Sequence, residues 1–101
     1  MEFEAIEWKV TKWAEERGIY KNYSLTAQVG KLLEEFSELL TAINNKDIPE
    51  IEDALGDCLV VLTNICRMEY GGSLEYCYEQ AYNQIKDRKG KMVNGTFVKE
   101  S

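Results

Sequence analysis

Residues 24–45 read SLTAQVGKLLEEFSELLTAINN, and the spacing of apolar side chains in this stretch decides the fold class. Leu25, Val29, Leu32, Phe36, Leu39 and Ile43 recur at intervals of three and four residues, which is the period of an α-helix with one apolar stripe. Ser24 is suited to the N-cap, where its hydroxyl accepts from a backbone N–H of the first turn. Asn44-Asn45 ends the run.

The same period continues on both sides. Upstream, Glu4 to Arg17 reads as a helix with Ile6, Val10, Trp13 and Ala14 on one face and Glu7, Lys12 and Glu15 facing elsewhere. Gly18 suits its C-terminal cap, and Ile19 to Tyr23 form a loop. Downstream, Asp47 caps a third helix from Ile48 to Tyr70, with Pro49 tolerated in its first turn. Gly71-Gly72 stops that helix. Ser73 then caps a fourth, Leu74 to Arg88, with Leu74, Cys77, Ala81 and Ile85 inward. Asn94-Gly95 lies between short apolar pairs, the sequence signal of a type I′ hairpin. The expectation is an all-α, four-helix bundle with a short C-terminal tail or hairpin, one domain over residues 1–101. Ala54 to Cys66 is apolar on nearly every face, so the central helices are expected to form an oligomer, a homodimer or homotetramer.

Composition narrows the function. A net charge of −6 disfavours nucleic acid and anionic membrane as partners. No stretch has the length of a membrane span, and MEFEAIEWKV lacks the basic and apolar regions of a secretion signal. Cys58, Cys66 and Cys77 form no CxxC pair and sit in apolar helical surroundings. They read as reduced core thiols of a cytoplasmic protein. The chain has no histidine, which excludes Ser-His and Cys-His catalysis and every histidine-based metal site.

Two groups of acids carry the chemistry. Glu34, Glu35 and Glu38 stand three and four residues apart on helix two, where like charges repel unless something neutralises them. Glu50, Asp53 and Asp57 make a second stripe on helix three, and Asp57 lies inside the apolar run, where an unpaired carboxylate is costly to bury. A bound Mg²⁺ would relieve both problems, since hard cations take carboxylate oxygens. The alternative is a salt-bridge network on a solvated face. For Glu50 and Asp53, close to a helix N-terminus, the helix dipole alone is a sufficient reason.

At these residues the chain resembles the MazG-type, all-α nucleoside triphosphate pyrophosphohydrolases. Their signature is EExxE, a spacer, then ExxD on the following helix. Glu34-Glu35-Phe36-Ser37-Glu38 resembles its first half and Asp53-Ala54-Leu55-Gly56-Asp57 its second. Ala81 to Gly90 is similar to the Asn/Lys/Arg segment that follows. The resemblance spans about residues 8 to 99 and implies a Mg²⁺-dependent enzyme that cleaves a nucleoside triphosphate to monophosphate and pyrophosphate, with Mn²⁺ as the alternative ion. It implies metal coordination by Glu35, Glu38 and Asp57, and a water-activating role for Glu34. The chain departs at Ala54, where the signature has a glutamate; Asp53, one place earlier, is the expected substitute ligand.

The same resemblance assigns Asn83 and Lys86, with Arg88 nearby, to the phosphate side of the substrate. Asn64 reads either as a contact to base or sugar or as a satisfied core residue. Trp8 is a candidate to stack on the base. Lys31, four residues before Glu35, reads as an intrahelical ion pair. The competing function is a non-catalytic helical interaction module of the same fold, which Ala54 favours.

Overall fold

The computed structural model describes residues 1–100. It consists of α1 (Phe3–Glu16), α2 (Leu25–Asn44), α3 (Ile48–Tyr70), α4 (Leu74–Ile85), β1 (Gly90–Val93) and β2 (Thr96–Lys99). This is the expected all-α bundle with a C-terminal hairpin. Antiparallel β1 and β2 pair Val93 with Thr96 around a turn in which Asn94 and Gly95 both have positive φ, 51° and 80°. Both central residues of a type I′ turn need that conformation. Among the described residues no helix is long and apolar enough to cross a membrane.

The caps fall where the sequence puts them. Ser24 Oγ accepts from the N–H of Ala27, Asp47 Oδ1 from that of Glu50, and Ser73 Oγ from that of Tyr76. Between α2 and α3 the connection is short, residues 45–47. Lys46 N–H bonds Ile43 O at 3.0 Å and Asp47 N–H bonds Ala42 O at 3.0 Å, the paired bonds of a Schellman motif. Asp47 immediately caps α3. The chain therefore turns back at once, and α2–α3 is the most extensive helix contact.

This junction holds Lys46 at φ 54°, a left-handed conformation that crowds the Cβ of an L-residue. Lys46→Gly is expected to stabilise the protein by about 0.5–1 kcal/mol, the relief of that crowding less the added freedom of glycine in the unfolded chain. Denaturant unfolding checks this; a lower midpoint in the variant would contradict it.

Several expectations are corrected. Helix four ends at Ile85 rather than Arg88. Arg88 N–H closes a turn on Ile85 O, and from Lys89, whose O accepts from Glu100 N–H, the chain enters the hairpin. The inward face of α4 is not covered by this chain: none of its residues is fully buried, and Cys77, Ala81 and Ile85 are exposed. Cys77 is thus no core residue; its Sγ lies 2.7 Å from Tyr70 Oη, while Cys58 and Cys66 are buried as expected. Trp13, expected to pack, is 45% exposed with the Arg17 guanidinium over its ring.

Glu7 does not face solvent. Its carboxylate accepts from Ser73 Oγ at 3.0 Å, from the N–H of Leu74 and from that of Glu75 at 3.1 Å. It caps α4 from a different helix. Two tyrosines fasten the α1–α2 loop to α3 in a similar way: Tyr20 Oη donates to Asn64 Oδ1 and Tyr23 Oη to Glu69.

Candidate metal centre

The apolar stripe of α2 meets α3 with one edge only. Leu32 and Leu39 are half-buried and Ala42 is buried, whereas Leu25, Val29, Phe36 and Ile43 are more than two-fifths exposed. The face turned to α3 therefore runs through residues 28, 32, 35, 39 and 42. Position 35 on that face is a glutamate, 4% exposed. The helical period thus carries Glu35 into the helix interface and leaves Glu34 outside it.

Asp57 approaches from α3 and Glu38 lies one turn beyond Glu35. One carboxylate oxygen from each of Glu35, Glu38 and Asp57 lies within 4.8 Å of the other two. Their charges act on one another. Burial, then the charges of Asp53 and Glu35, raise the Asp57 carboxyl above its ordinary pKa. The charge of Glu35 is the largest cause of the same upward shift at Glu38.

The two oxygens of Glu35 have different surroundings. Lys31 Nζ stands 3.3 Å from Oε1, whereas Oε2 is buried without a hydrogen-bond partner. An oxygen among other carboxylates has no donor to accept from unless one of them takes a proton. Buried polar atoms are otherwise nearly always satisfied. Three converging carboxylates, one of them with an orphaned buried oxygen, are hard donors that fit a Mg²⁺- or Mn²⁺-type ion.

The remaining expected site residues fall in different places. Glu34 is exposed and 3.8 Å from Lys31 Nζ. Asp53 is exposed and outside the converging trio; with Asp57 it lines one end of a cleft of about 440 Å³ between α1 and α3. Phe3, Ile6, Val10, Leu59 and Val60 make the rest of that cleft largely apolar. Glu50 lines a small polar hollow on the far side of Glu38, beside Asp47. Ala54 is buried, so its substitution leaves apolar packing where the signature has an acid.

Asn64 is 3% exposed, and its Oδ1 accepts from Tyr20 Oη. Trp8 is 61% exposed with Lys12 over its ring, and it lines a shallow polar depression with Arg67 and Ser73, apart from the cleft beside Asp57. Asn83, Lys86 and Arg88 are exposed at the end of α4 and in the turn after it. Among the described residues α4 packs on α1 and α3 and not on α2.

Sequence reasoning passed over the apolar cleft beside Asp57. The signal was present, since Ile6 and Val10 share a face and Leu59 and Val60 continue the apolar run, but it looked like ordinary core.

Comparison with known proteins agrees with this geometry. The chain is 31% identical over 61 residues to the uncharacterized 18.2 kDa protein in the rep-hol intergenic region of Haemophilus phage HP1 (strain HP1c1), a match covering 60% of this chain and 37% of that protein. No solved structure matches. The profile of the MazG nucleotide pyrophosphohydrolase domain matches residues 24–93, which include both acidic helices, α4 and the first hairpin strand. With that match over more than half its length, the chain belongs to the MazG nucleotide pyrophosphohydrolase family.

Proposed function

We propose that this chain is a Mg²⁺-dependent nucleoside triphosphate pyrophosphohydrolase, converting NTP and water to NMP and pyrophosphate, with nucleotide-pool cleansing as its use. The observation that carries this reading is the convergence of the Glu35, Glu38 and Asp57 carboxylates, with Oε2 of Glu35 buried and unpartnered. Glu35, Glu38 and Asp57 would hold the ion; Mn²⁺ suits the same donors. A bound divalent cation neutralises charge on the phosphates and lowers the pKa of a coordinated water.

The protein groups supply the rest. Glu34 is exposed next to the trio, so water reaches it, and it is the candidate to take the proton of the attacking water. Asp53 lies close enough to influence Asp57 electrostatically and would assist through a bridging water. The apolar cleft beside Asp57 has room for a nucleobase and would shield it from solvent. Trp8 and Asn64 are not placed in that cleft, and neither is retained as a base contact.

Asn83, Lys86 and Arg88 would serve the phosphates of a neighbouring subunit. The need for a second copy is supported by surface. The chain exposes 7822 Å², against about 5,900 Å² for a compact monomer of its mass. Its radius of gyration is 16.0 Å, where about 13 Å is usual. Leu33, Leu40, Leu55 and Leu59 are at least 46% exposed on α2 and α3. A homodimer or homotetramer would cover them. All 101 residues would act as one unit, and the free thiols suit a reducing cytoplasm.

A second reading, a non-catalytic interaction module, is favoured by Ala54, which leaves only three converging acids among the described residues. A panel of canonical and modified NTPs assayed for pyrophosphate with and without Mg²⁺ separates the two. Release that requires Mg²⁺ is expected for at least one nucleotide. No release from any of them would favour the interaction module.

A further inference from the structure

Lys31 is half exposed, yet its Nζ lies 3.3 Å from Oε1 of the buried Glu35 and 3.8 Å from the exposed Glu34. Intrahelical pairs of this spacing ordinarily link two solvated side chains and contribute little. Here one partner is different. The Glu35 side chain is 5% exposed against 50% for Lys31, and Lys31 is its only polar partner. The ammonium reaches in from solvent to a carboxylate that converges with those of Glu38 and Asp57.

We propose that Lys31 is the resident counter-ion of the acidic trio, standing in for the divalent cation when none is bound and competing electrostatically with it when one arrives. This rests on the metal-binding reading of the trio. Two consequences follow from charge alone. Without a divalent cation, Lys31 offsets part of the repulsion among three carboxylates. With one, its positive charge stands close to the cation and opposes its binding. Lys31 thereby lowers the affinity for the free ion while keeping the empty site folded. It is a positioning and tuning residue that touches neither substrate nor reacting atoms in this role.

The test is calorimetric titration of Mn²⁺ into the metal-free full chain at low ionic strength, for the parent, Lys31→Gln and Lys31→Arg. Lys31→Gln is expected to bind Mn²⁺ about three- to tenfold more tightly, as a unit charge about 6 Å from a divalent ion in a solvent-exposed setting would dictate. Its metal-free form should melt lower than the parent's, and Lys31→Arg should match the parent in both respects. The affinity difference should shrink as salt is added. Unchanged or weaker Mn²⁺ binding in Lys31→Gln would overturn the counter-ion role and mark Lys31 as a mere support for Glu35. Absence of Mn²⁺ binding by the parent would instead remove the metal centre itself, and the inference with it.

Discussion

Glu35→Gln is expected to make the metal-free protein more stable and the enzyme nearly inactive. The carboxylate is buried, one of its oxygens has no partner, and it faces two more acids. An amide of the same shape removes a charge from that group, and its NH₂ donates to Glu38 or Asp57. The ion pair it gives up, to a half-exposed lysine, contributes only about 0.2–1 kcal/mol. Relief of repulsion should exceed that by about 1 kcal/mol, which in a domain of this size raises Tm by roughly 4–8 °C. The same change removes a ligand oxygen's charge, so activity should fall by more than the roughly 10–100-fold typical of losing a group outside the ligand set. Thermal melts without metal and pyrophosphate release with Mg²⁺ read the two effects separately. A variant that keeps parent activity would refute the site, and one that melts lower would refute the assigned electrostatics. Opposite signs in stability and activity are the mark of a site held under strain for function.

The second large effect is expected at Glu7, far from the acids. Glu7→Ala deletes three hydrogen bonds to the start of α4, two of them to backbone N–H groups that no other residue supplies. It also removes a negative charge from the positive end of that helix's dipole. Loss of a cap costs about 0.5–2 kcal/mol and bonds to a charged group are stronger than neutral ones, so about 2–3 kcal/mol is expected. The loss should be local, because α4 buries no residue fully and rests on α1 and α3 alone. Hydrogen exchange should therefore rise across Glu75–Ile85 well before it rises in α3. Uniform protection of both helices in the variant would show that α4 is held by something other than this cap.

These two residues also mark how far the sequence could be read. The four helices and their Ser24, Asp47 and Ser73 caps were legible because capping and periodicity are local: the cap and the N–H it satisfies lie three residues apart. Spacing showed two separate acidic groups, and the resemblance to the MazG family implied the convergence of Glu35, Glu38 and Asp57. Glu7 was not, since its partners lie up to 68 residues away and nothing in WKVTKW announces them. Nor was the facing edge of α2. A wide apolar stripe satisfies the helical period whichever edge is buried, and only packing chose the edge that includes Glu35. The end of α4 was misjudged because residues 86–88 form a turn, with Arg88 N–H on Ile85 O, in place of a further helical turn.

The junction at residues 45–47 has a geometric consequence for the acids it joins. Helices that fold back on each other act like the two arms of a closed ruler, with positions at equal distance from the pivot coming to rest side by side. Glu38 stands nine residues before Asp47 and Asp57 ten after it, so the pivot itself matches the two arms. One extra residue at the pivot would advance α3 by about 1.5 Å and turn it through about 100° against its neighbour. Both helices would survive such an insertion, while the oxygens that now face one another would look past each other. The length of a three-residue corner, more than any side chain within it, sets the gauge of the metal centre.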